Sequence, residues 1–120
     1  MELKQVKHGV YKIGYHMVLC VKYRKQLLRG EVREGIGEIL AEISERFEIW
    51  YDEVGFEEDH VHILCGAHQE KSPSWVIMIT KSKTGRQIFK KFPELRKELW
   101  GGKFWSAGKY IGAVANKVKR

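Results

Sequence analysis

Apolar positions change period several times along the chain, and each change predicts an element. From Val10 to Val21 the sequence VYKIGYHMVLCV is dense in β-branched and aromatic residues, which suit a pleated strand. Tyr11, Ile13, Tyr15, Met17, Leu19 and Val21 share one parity, and His16, Val18 and Cys20 the other. A strand apolar on much of both faces belongs inside a sheet. From Glu31 to Arg46 the period lengthens, with Val32, Ile36, Ile39, Leu40 and Ile43 on one helical face. Glu34, Glu38, Glu42 and Glu45 occupy the other face, which is expected to be solvated.

Phe47 to Phe56 (FEIWYDEVGF) predicts a second strand. Gly55 and the run Glu57-Glu58-Asp59 supply a short connection to a third, from His60 to Ala67, and the two should pair as a hairpin. After a polar loop from His68 to Lys71, Ser72-Pro73 has the form of an N-cap followed by proline at the first helical position. This second helix should run to Phe92, where Pro93 stops it. Trp75, Val76, Ile79, Ile88, Phe89 and Phe92 supply its buried side. Phe104-Trp105 and then Lys109 to Ala115 predict a last strand, interrupted at Ser106-Ala107-Gly108. Asn116 to Arg120 reads as the first turn of another helix.

The order is β-α-β-β-α-β. Short connections and right-handed crossovers then predict an α+β fold, a ferredoxin-like split sandwich. Its sheet is antiparallel, both helices lie on one face, and the first and third strands are central. One domain spans residues 1–120, with no repeat, linker or low-complexity segment.

The third strand carries the distinctive chemistry. His60 and His62 should project side by side, while Val61, Ile63 and Cys65 face the helices. Two imidazoles on one face are half of a metal site or a paired acid–base site. Taken alone, an H-x-H is as readily a solvent-facing pair. A central strand, the carboxylates just upstream and the basic chain favour the metal. Two ligands leave positions open on a divalent ion, which can then polarise a phosphate oxygen. Histidine ligation makes Mn²⁺ as suitable as Mg²⁺, whereas zinc normally takes a third or fourth protein ligand. An H-x-H-x-H hydrolase pattern is excluded, because Leu64 holds the third place.

Charge adds a partner. The net charge of +7 over 120 residues favours a polyanion, nucleic acid before membrane. Lys81, Lys83, Arg86, Lys90 and Lys91 follow one another on the second helix with no acid between them. The first strand ends in Lys22-Tyr23-Arg24-Lys25. Arg24, Lys25, Lys81, Lys83 and Arg86 are therefore the candidate nucleic-acid contacts. Cys20 and Cys65 sit within apolar runs, which suits core packing in a reducing compartment. The N-terminus has no apolar signal region, and no apolar run approaches the ~20 residues of a membrane span, so a cytoplasmic location is expected.

Several of these segments together resemble a known family. They are Tyr15-His16-Met17-Val18, Lys22-Tyr23-Arg24-Lys25, Asp59-His60-Val61-His62-Ile63-Leu64 and Ser72-Pro73-Ser74. Lys90-Lys91-Phe92-Pro93, Leu99-Trp100 and Tyr110-Ile111-Gly112-Ala113-Val114 complete the set. In that order they resemble the small IS200/IS605-type transposases, single-stranded DNA enzymes of the HUH class (His, hydrophobic residue, His). The resemblance implies a homodimer that recognises a DNA hairpin at the ends of a mobile element and cuts single-stranded DNA beside it. It implies that a tyrosine attacks the phosphodiester, leaving a 5′-phosphotyrosine and a free 3′-hydroxyl. It also gives His60 and His62 the role of holding Mg²⁺ or Mn²⁺.

In the family that tyrosine lies on a helix after the last strand, with a further ligand, commonly glutamine, one turn later. Tyr110, in the setting Lys109-Tyr110-Ile111-Gly112, matches the family's last-strand aromatic instead. The catalytic helix and its tyrosine are therefore expected after Arg120, and residues 1–120 form an HUH transposase-like domain without them. The alternative expectation is a catalytically inactive nucleic-acid-binding remnant, stacking bases on Tyr15, Trp50, Trp105 or Tyr110.

Overall fold

In the computed structural model, residues 14–108 and 110–114 are described, the last five as backbone. The elements run β1 (Gly14–Cys20), α1 (Gly30–Phe47), β2 (Ile49–Phe56), β3 (His60–Ala67), α2 (Pro73–Lys91) and β4 (Tyr110–Val114). The strand order is β2-β3-β1-β4, and every pairing is antiparallel. This is the ferredoxin-like arrangement, with β1 and β3 central. The expected strand residues 10–13 and the expected helical turn at 116–120 lie outside the described residues.

Alternation decides the faces. Met17 and Leu19 from β1, with Val61, Ile63 and Cys65 from β3, are buried in one core. Ile36, Ile39, Leu40 and Ile43 of α1 and Val76, Ile77, Ile79, Ile88 and Phe89 of α2 cover them. The helical period therefore selects the sides that the sequence marks, and Thr80 and Thr84 join them at the centre of α2. Ser72 caps α2 by accepting the Trp75 N–H at 3.1 Å, and Pro73 follows at the first helical position. α1 ends where Glu48 turns left-handed at φ 57°.

Two details depart from a plain alternation. β2 slips register between Tyr51 and Glu53, a bulge that places both Tyr51 and Val54 opposite helix-side partners of β3. Phe104-Trp105 forms no strand of its own. Trp105 makes an isolated bridge to Val21, the Lys22 N–H donates to the Phe104 carbonyl at 2.8 Å, and the Ser106 N–H donates to the Cys20 carbonyl at 2.8 Å. Buried Phe104 and Trp105 thereby pin the segment after α2 against the end of β1. The Trp105 indole N–H also donates to Thr84 Oγ1 at 2.8 Å, while Thr84 donates to the Thr80 carbonyl at 2.7 Å.

Candidate metal centre and nucleic-acid surface

The histidines stand where the alternation puts them, on the sheet face away from the helices. In register, His62 lies opposite Val18 on β1 and His60 opposite Cys20. The connection before them is held firmly. The Val21 N–H donates to the Asp59 carbonyl at 2.9 Å, the Leu28 N–H to the Glu58 carbonyl at 2.9 Å, and the Glu57 N–H to the His60 carbonyl at 2.8 Å. These bonds place Asp59 beside the first histidine.

His60 Nε2 and His62 Nε2 are 3.0 Å apart. Two nitrogens each about 2.1 Å from one ion and at right angles to each other would stand about 3.0 Å apart, so the pair fits adjacent positions on one divalent cation. On its other edge, His60 Nδ1 meets Asp59 Oδ1 at 2.8 Å, and Arg24 Nε–H donates to Asp59 Oδ2 at 2.9 Å. The hydrogen bond from His60, and after it the one from Arg24, hold the Asp59 carboxyl below its ordinary value. A carboxylate receiving Nδ1–H leaves Nε2 with its lone pair toward the open site, the usual support for a ligating histidine. No cluster of three or more His, Cys, Asp or Glu side chains able to hold a metal occurs among the described residues.

His16 completes the face. It pairs with Leu64, diagonally next to His62, and the two imidazoles stack with centroids 5.6 Å apart at 6°. Tyr51 and Tyr15 do not join this face as His16 does. Tyr51 is directed at α2, where its hydroxyl meets Thr80 Oγ1 at 2.6 Å, and burial pushes its ionisation upward. Burial, then Cys65, does the same to Tyr15.

The candidate DNA contacts separate. Lys81 and Arg86 line a cleft along α2 together with Lys22, Arg96 and Lys103, and no carboxylate lines it among the described residues. Lys81 Nζ donates there to the Gly108 carbonyl at 2.8 Å. Lys83 is turned away, with its ammonium 5.5 Å from the Phe47 ring centroid beside α1. The reason is the helical turn of 100° per residue, which puts positions two apart on opposing sides. Arg24 is engaged by Asp59, and Lys25 lies 3.6 Å from Glu98. The sheet aromatics expected to stack bases are also otherwise placed, since Trp50 and Trp105 are buried. The side chain of Tyr110 lies outside the described residues.

The sequence pattern described as "Transposase IS200 like" matches residues 9–120. The chain belongs to that family. Among its relatives, the ISDra2 transposase TnpA of Deinococcus radiodurans is 32% identical over 119 residues, covering 99% of this chain and 85% of the relative. The transposase for insertion sequence element IS200 of Salmonella typhimurium is 27% identical over 117 residues, covering 98% of this chain and 77% of the relative. A solved transposase structure from Deinococcus radiodurans R1 superposes with a TM-score of 0.80 at 31% identity, covering 88% of this chain and 82% of that one. A REP-associated tyrosine transposase bound to a REP hairpin shares the fold, with a TM-score of 0.60 at 12% identity over 88% of this chain and 57% of that one.

Sequence reasoning about this IS200-like transposase missed His16, Arg96 and Lys103 as members of its surfaces. For His16 a signal existed, because it shares parity with Val18 and Cys20 on the strand face away from the core. Arg96 and Lys103 carried none, since only the packing of the segment after α2 brings them to the cleft. No helix of the described residues is long and apolar enough to cross a membrane.

Proposed function

We propose that this transposase cuts and rejoins single-stranded DNA beside a hairpin, in a metal-dependent reaction that passes through a 5′-phosphotyrosine. The observation that carries the reading is the His60–His62 pair, spaced at 3.0 Å and backed by Asp59 on a central strand. The cationic cleft along α2 and the hairpin bound by a protein of the same fold support DNA as the partner. The protein acts as a homodimer in this reading, and the outer edge of β4 has no strand partner among the described residues.

His60 and His62 would hold Mg²⁺ or Mn²⁺ through Nε2, with Asp59 fixing His60 and Arg24 fixing Asp59. When bound, the ion supplies charge withdrawal from a phosphate oxygen. A tyrosine oxygen forms the new bond to phosphorus while the bond to the 3′ oxygen breaks, and that oxygen leaves as a hydroxyl after taking a proton. The covalent link preserves the phosphodiester for rejoining.

Incubation of the full-length protein with a hairpin carrying a single-stranded flank, in Mg²⁺ or Mn²⁺, is expected to yield an adduct that survives denaturation. His60→Ala or His62→Ala should abolish it. No adduct with either metal would leave the inactive DNA-binding reading, in which affinity for the strand outlasts both substitutions.

A further inference from the structure

Two large aromatic side chains stand in water on the segments that follow β1 and α2, joined where the Tyr23 hydroxyl meets the Trp100 carbonyl. Trp100 is 81% exposed and Tyr23 is 55% exposed. Both sit on a constrained backbone. Tyr23 and Arg24 adopt left-handed conformations at φ 63° and 54°, which are costly for residues with a Cβ and persist only when the surroundings impose them. The surroundings here are specific. The Lys22 N–H donates to the Phe104 carbonyl and the Arg24 N–H to the Val21 carbonyl, each at 2.8 Å. The Tyr23 hydroxyl donates to the Trp100 carbonyl at 3.4 Å, and the Arg24 side chain is held by Asp59. Trp100 itself lies between buried Leu99 and two glycines at φ 86° and 72°. The chain is anchored on both sides of the tryptophan while its ring is left outside.

The charges around this pair connect the two surfaces already described. Lys22 Nζ lies 5.5 Å from the Tyr23 ring centroid and also lines the α2 cleft with Lys81, Arg86, Arg96 and Lys103. On the other side of Tyr23, Arg24 reaches Asp59 and so His60. Glu98, two residues before Trp100, is engaged by Lys25.

We propose that Tyr23 and Trp100 form a stacking platform for unpaired bases of a single DNA strand on its way from the α2 cleft to the histidine pair. The proposal rests on the DNA reading above and adds the course of the strand to it. Exposed aromatic faces interleaved with lysine and arginine match a single strand, whose phosphates meet the cations and whose bases each offer a π-face. A duplex keeps those faces stacked within itself.

The test compares three labelled probes by fluorescence anisotropy with the full chain: an oligothymidylate, an abasic strand of equal length and a blunt duplex. The wild type should bind oligothymidylate at least about tenfold more tightly than the abasic strand, the order of one base–aromatic stack. Trp100→Ala should remove about tenfold from oligothymidylate binding and leave the abasic strand unchanged, while Trp100→Phe retains most of the preference. Tyr23→Asn, which tolerates left-handed backbone, should act in the same direction. Equal losses on both strands, or none on oligothymidylate, would overturn the platform. So would a Trp100→Ala protein that loses a subunit in sedimentation without losing the preference for bases. A wild type that binds none of the three probes would overturn the platform, and one that also fails to bind a hairpin with a single-stranded flank would overturn the DNA reading itself.

Discussion

Asp59 links the two halves of the candidate centre. One carboxylate oxygen meets His60 Nδ1 at 2.8 Å and the other accepts Arg24 Nε–H at 2.9 Å. Its lowered ionisation keeps it an acceptor throughout the neutral range, so it selects which nitrogen of His60 faces His62. Asp59→Asn preserves the shape but offers one carbonyl oxygen where two oxygens are in use. Mn²⁺ affinity, followed by titration of the free ion, should fall by about 10- to 100-fold, the usual effect of removing a partner behind a ligating histidine. An unchanged affinity would remove Asp59 from this role. The H-x-H spacing and the neighbouring acid were legible in the sequence, because both are local. The Arg24 contact was not, since it joins residues 35 apart through a left-handed turn that no local pattern announces.

At the scale of elements, the β2–β3 pair shows what burial does to ionisation. Tyr51 and Cys65 are direct register partners on the helix side, under α2. Burial, and secondarily Asp52, pushes the Cys65 thiol up to about 12, and burial raises Tyr51 as well. In the unfolded chain the thiol ionises near pH 8.5 and the phenol near pH 10. Above those values the unfolded state sheds protons that the folded state keeps, so stability must fall as pH rises, by up to about 1.4 kcal/mol per pH unit for each group. Below about pH 8 neither group contributes. Urea midpoints measured from pH 7 upward should therefore decline beyond about pH 8.5, and Cys65→Ala should flatten the first part of that decline. An identical slope in the variant would contradict the placement of Cys65. Parity alone located this cysteine in the core. It could not locate the bulge after Tyr51, because the register of β2 is set by pairing with β3 rather than by its own residues.

Across the whole molecule the positive charge is unevenly placed. The exposed face of α1 carries Glu34, Glu38, Glu42 and Glu45, whereas Lys22, Lys81, Arg86, Arg96 and Lys103 meet in one cleft. Those five residues come from separate stretches of the chain, so the sequence showed the excess on α2 but only the fold shows where it accumulates. If all five meet phosphates of a single strand, log K should fall against log salt with a slope of about −3.5, at roughly 0.7 per phosphate. Replacing Lys81 and Arg86 together by alanine should make the slope shallower by about 1.4. Lys83→Ala should leave it unchanged, because that ammonium lies over the Phe47 ring on the α1 side. His60→Ala and His62→Ala should leave it unchanged too, since neither residue lines the cleft. The comparison thus separates affinity from chemistry within one set of titrations. A slope indifferent to Lys81 and Arg86 would move the strand to another face, and would leave the cleft as a solvated positive surface.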